Sequence, residues 1–160
     1  MSVSETRIEH ATGITNNDIV VLGGTHTNKL ATEFLQRLAP HVKTHGEDRT
    51  ARSFEIMGKP YKTEYSESGS HVEVDHGLIV RMRNLYSSDP ARLATFLAGC
   101  HGLGTGGAAQ VLVNEHLARQ VLKRATDADS FIAVIRAREV GSDYVVDVED
   151  VHSPINLPAQ

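Results

Sequence analysis

Residues 96–112 read FLAGCHGLGTGGAAQVL. An apolar run breaks into glycines around the chain's single cysteine and then takes on helical spacing. Residues 18–28, DIVVLGGTHTN, repeat the plan: a β-branched run, paired glycines, threonine and histidine at the break, then a helix over THTNKLATEFLQRL. Thr27 or Asn28 can cap that helix, Leu30, Phe34, Leu35 and Leu38 form its apolar face, and Pro40 ends it. Two strand-turn-helix units predict an α/β fold, a Rossmann-like mixed sheet with two main helices. Ligands in open α/β sheets bind beyond the carboxyl ends of the strands, so these two turns are the expected walls of a site.

Around them the pattern predicts antiparallel hairpin strands. SFEIMGK and YKTEYSE read as strands separated by Pro60, and 41–52 reads as a polar loop. HVEVDHGLIVRMRNLY reads as strand with an interruption at Asp75-His76-Gly77, a further crevice wall, and RLATFLAG as a buried strand. The second helix is expected over about Gly106–Ala125. FIAVIRAREVGSDYVVDVEDVH reads as two strands turning at Gly141-Ser142-Asp143, its acidic end the solvent face of an edge strand. The expected organisation is an N-terminal extension, 1–17, one α/β domain, 18–152, and a tail, 153–160, ordered if Ile155 and Leu157 dock.

The chain has 160 residues and a net charge of -4, without a basic run, which argues against nucleic acid as a partner. One cysteine excludes an internal disulfide, the N-terminus lacks a secretory pattern, and no apolar run is long enough for a bilayer. A soluble, cytoplasmic protein with no membrane partner is the expectation.

Gly102, Gly104, Gly106 and Gly107 let successive N–H groups converge, and the following helix adds a positive N-terminal dipole; with Thr105 as a hydroxyl donor this suits an anion. Gly23, Gly24, Thr25, His26 and Asn28 would read the rest of the ligand. The alternative reading of both turns is close helix-sheet packing and helix capping. Cys100 beside His101 invites a thiolate-nucleophile reading, but neighbours on extended backbone point to opposite faces. His26 or His76 would then be the base, and an inert buried cysteine is the commoner outcome. Metal-ligand spacings such as CxxC or HExxH are absent, so no metal is expected from Cys100, His101, His26 and His76. Arg81 and Arg83 share a strand face and read as solvated or salt-bridged, the alternative being neutralisation of a phosphorylated ligand.

The segment LAGCHGLGTGGAA resembles the strand-turn-helix signature of the SLOG superfamily, Rossmann-like nucleotide-binding domains that include lysine-decarboxylase-like phosphoribohydrolases. Of the pattern PGGxGTxxE, Gly102, Leu103, Gly104 and Thr105 match the centre. Cys100 and His101 replace the first two residues and Ala108 stands in place of the glutamate, which belongs to the active site in enzymatic members. The resemblance therefore implies nucleotide-like ligand binding more readily than catalysis. The expected function is binding of a small nucleotide-derived or anionic ligand by a sensory or regulatory domain, with a homo-oligomer or an effector protein as the candidate partners. The alternatives are a hydrolase or glycosidic-bond-cleaving enzyme using His26 or His101 with Cys100, and a structural or oligomerisation module.

Overall fold

The computed structural model describes residues 11–24, 28–46, 52–141 and 143–155. The chain forms α1 (Ala11–Asn16), β1 (Ile19–Leu22), α2 (Lys29–Leu38), β2 (Val42–His45), β3 (Ser53–Ile56), β4 (Lys59–Lys62), β5 (Glu64–Tyr65), β6 (Val72–Arg83), β7 (Leu93–Gly99), α3 (Gly102–Val113), α4 (Glu115–Arg124), β8 (Phe131–Val140) and β9 (Asp143–His152). Six strands make one sheet in the order β1-β7-β6-β8-β9, with β5 alongside β6, and β2-β3-β4 make a second. The pair β1 and β7 is parallel; the other pairings are antiparallel. An α/β fold with a mixed sheet, as the sequence predicts, is therefore what forms.

Alternation sorts the long strands between two cores. Leu78, Val80, Met82, Phe96, Ala98, Ile132 and Val134 face α2 and the small sheet, meeting Phe34, Leu38, Phe54, Ile56 and Tyr61. Ile79, Leu97, Phe131, Ala133 and Ile135 face the opposite way, onto Ala108, Val111, Leu117 and Val121 of α3 and α4. The main sheet is thus a central layer, and each buried Phe, Leu or Ile contributes about 1.5–3 kcal/mol over an exposed one. Ile155, after β9, docks into the first core as its apolar character predicts; Leu157 lies outside the described residues.

Several boundaries differ from the sequence reading. The helix expected over about 106–125 begins at Gly102 and is two helices, because Asn114 leaves helical geometry and its side chain accepts from His116 N and Leu117 N, capping α4. The glycine run is therefore the first turns of a helix and not a loop before one. The segment 41–52 is not all loop, since β2 pairs with β3. The β3-β4 turn falls at Met57-Gly58, both at positive φ (52° and 85°), a hairpin turn. Pro60 lies inside β4, an edge strand of the small sheet, where a missing N–H is tolerated. There is no interruption at Asp75-His76-Gly77: β6 is continuous, paired with both β7 and β8 at Gly77. Within the expected N-terminal extension, α1 is tied down by Asn84, whose side-chain amide donates to the Ile14 and Asn17 carbonyls. Among the described residues no helix is long and apolar enough to cross a membrane.

Candidate ligand-binding site

Parallel pairing of β1 with β7 brings the two glycine breaks side by side, Leu22 opposite Leu97, with Gly23 N donating to the Leu97 carbonyl at 2.9 Å. Beyond these carboxyl ends lies a cavity of about 70 Å³, bounded by Gly24, Gly99 and Cys100 on one side and by His45, Arg52 and Ser53 on the other. Leu35 and Phe54 form its apolar floor. The Arg52 Nε is enclosed and, among the described residues, has no hydrogen-bond partner. Arg81 Nε, Arg138 Nε and His152 Nε2 share this state among the described residues, but of the four only Arg52 lines this cavity, where a buried donor left unpaired costs about 1–3 kcal/mol.

Of the residues singled out in the first turn, Thr25 and His26 lie outside the described residues, as does Thr27. Asn28 is spent on local structure: its side-chain oxygen accepts from Leu30 N and its amide donates to the Leu22 carbonyl, so it caps α2 and fastens the helix to the end of β1.

The second turn is packed against the sheet. A Cβ on Gly104 would lie 2.3 Å from the His76 carbonyl oxygen and 2.7 Å from Asp75 Oδ2; one on Gly99 would meet Thr105 N at 2.2 Å, and one on Gly77 the Gly104 carbonyl at 2.2 Å. The three glycines let α3 touch backbone on β6 and β7. Gly102 faces open space, and Gly106 lies near the Tyr144 hydroxyl. Thr105 Oγ1 donates back to the His101 carbonyl within the helix. The start of α3 already holds an anion: Asp75, fully buried, accepts through Oδ2 from His101 N at 2.9 Å and Gly104 N at 2.6 Å, and through Oδ1 from the Thr63 hydroxyl at 2.9 Å. A carboxylate at a helix N-terminus is favoured by the dipole and the unpaired N–H groups alike.

Cys100 and His101 diverge as extended neighbours should. The thiol, 2% exposed, turns under the small sheet toward the Tyr61 carbonyl, and burial, reinforced by the Asp75 carboxylate, pushes it up to about 12. His101 Nε2 lies 2.8 Å from the Tyr65 hydroxyl. At pH 8.5 the native thiol should react with iodoacetamide about a thousandfold more slowly than the denatured chain, whose thiol sits near its ordinary value. Labelling at the denatured rate in native buffer would show that Cys100 is a thiolate after all.

Arg81 and Arg83 sit at the far end of β6, where Arg83 pairs with Leu93 at the start of β7, and Arg81 faces Asp129 at 3.7 Å. Among the described residues no group of three His, Cys, Asp or Glu side chains could hold a metal ion. Sequence reasoning missed Arg52, His45 and Ser53, because nothing local marks residues that reach the crevice only when the small sheet folds over it. Asp75 was visible, but its role depends on a helix 26 or more residues away in the chain.

The chain matches no protein-family model, no curated protein and no solved structure.

Proposed function

We propose that this protein binds a small anionic ligand, nucleotide-derived or otherwise, at the crevice beyond β1 and β7, and that it works as a sensory or regulatory domain. The observation that carries the reading is Arg52: an enclosed guanidinium nitrogen with no acceptor among the described residues, beside His45 and Ser53, at the place where α/β sheets take ligands. A planar guanidinium suits a carboxylate or phosphate, which it can engage with two parallel N–H donors. At about 70 Å³ the cavity is far smaller than the roughly 300 Å³ of a whole-ligand pocket, so it fits the charged group of a ligand whose remainder lies outward. The likeness to SLOG nucleotide-binding domains agrees with this ligand class. In that comparison the glycines serve the packing of α3, while the anion contact passes to Arg52. Binding without turnover accords with a protonated Cys100 and with a His101 ring engaged by Tyr65.

The test is calorimetry and thermal shift with inorganic phosphate, nucleoside mono-, di- and triphosphates and simple carboxylates, since a ligand of the native state raises apparent stability by mass action. Arg52→Gln should weaken the best hit by about ten- to a hundredfold, the worth of a charge-assisted hydrogen bond, and leave the unliganded melting temperature nearly unchanged. No hit in these classes, or a hit that Arg52→Gln binds equally well, would refute the reading.

A further inference from the structure

Besides the direct contacts of Lys59 and Tyr61 with Asp150, one buried imidazole lies between the two sheets. His76, its side chain 8% exposed, has Nδ1 3.0 Å from the Lys62 carbonyl oxygen on β4 and Nε2 3.0 Å from Glu149 Oε2 on β9. A peptide carbonyl and a carboxylate both accept and do not donate. A neutral imidazole has one N–H and one bare lone pair, so it can satisfy only one of these partners. The imidazolium donates to both. The geometry points to a protonation latch: doubly protonated His76 fastens the small sheet, through β4, to β9 of the main sheet, and loss of one ring proton releases one of the two ties.

The surroundings leave Glu149 to this role. From β4, Lys59 pairs with Asp150 at 2.6 Å and faces Glu149 Oε1 only at 3.6 Å, while the Tyr61 ring lies 5.5 Å from the imidazole and its hydroxyl donates to Asp150. Lys62 contributes its side chain to the same groove. From β5, Glu64 faces Arg136 of β8 at 3.7 Å, and from β9, Asp147 faces Arg138 at 3.5 Å. His76 Nε2, at 3.0 Å, lies closer to the Glu149 carboxylate than Lys59 Nζ does, at 3.6 Å. A contact made by the protonated ring alone contributes at low pH and is lost as rising pH removes the proton. The small sheet also supplies His45 and Ser53 to the crevice, so release would loosen a wall of the ligand site, but the latch itself stands whether or not a ligand binds.

The experiment is ¹⁵N NMR of the full chain from pH 5 to 8, following the His76 ring nitrogens and the amide exchange of β3 and β4, corrected for the intrinsic pH dependence of exchange. Both ring nitrogens should carry protons at the acid end, and exchange in β4 should quicken at least about tenfold as the ring deprotonates, the loss of one charge-assisted hydrogen bond. His76→Gln, which cannot titrate, should abolish that pH dependence, and His45→Gln should keep it. Should His76→Gln fail to fold, Glu149→Gln reads the same tie from the other side. A single neutral tautomer throughout, or equal pH dependence with and without a titratable His76, overturns the latch, and either result is independent of ligand binding.

Discussion

Gly104→Val should cost about 3 kcal/mol or more, enough to leave much of the protein unfolded, because overpacking against atoms that cannot retreat is the severe form of a small-to-large change. The atoms in question are backbone: the added Cβ would sit 2.3 Å from the His76 carbonyl oxygen and 2.6 Å from its carbonyl carbon, in the middle of β6. That strand is hydrogen-bonded on both sides there, to β7 and to β8, so it cannot yield without disturbing three strands. Gly102→Ala is the contrast. A Cβ at 102 meets nothing within 4 Å, and the site is helical, so alanine should be neutral or stabilise by up to about 1 kcal/mol. Urea unfolding of the two variants measures both. Equal tolerance at the two positions would mean that α3 does not press on β6 as described.

The same glycines show what sequence can and cannot say. A strand breaking through glycine into a helix was legible at 18–38, down to Asn28 as one of two candidate caps and to Phe34, Leu35 and Leu38 as a buried face, since those signals are local; in the second unit the strand and its break were legible, but the helix begins at Gly102 and not near Gly106. Local signals failed where a distant partner decides the outcome. Asp75-His76-Gly77 looks like a break because Asp and Gly are poor strand formers, yet it lies in the buried stretch of β6: Asp75 is stabilised there by α3, His76 by β4 and β9, and Gly77 by the need to admit the helix. VKTH is too short and polar to announce a strand, and it becomes one only against Ser53–Ile56. Of the proposed site, Arg52 could not be singled out from sequence, because it gains meaning only from being enclosed with no acceptor for its Nε among the described residues.

Asp75→Ala should be as damaging as a core truncation, at about 3 kcal/mol, because it strands three donors at once: the buried Gly104 N and the part-buried His101 N and Thr63 hydroxyl. Asp75→Asn keeps the volume, and its carbonyl oxygen can accept the two N–H groups while its amide turns to the Thr63 oxygen. It gives up only the charge assistance and the match to the helix dipole, about 1–2 kcal/mol. The order Asp, Asn, Ala in denaturant midpoint separates a carboxylate acting as acceptor from one that merely fills space, since the latter would make Asp and Asn equal. The alanine variant offers a sharper test. It leaves a hole of carboxylate size facing the N-terminus of α3, so formate should enter and raise its midpoint, with a smaller effect on the wild type, whose own carboxylate already fills the place. Rescue by formate, but not by a neutral molecule of similar size, would show that the glycine-rich start of α3 is a competent anion site that the protein reserves for itself. An alanine variant indifferent to formate would mean that the Asp75 contacts contribute through geometry and not through charge, and the dipole argument for this position would fall.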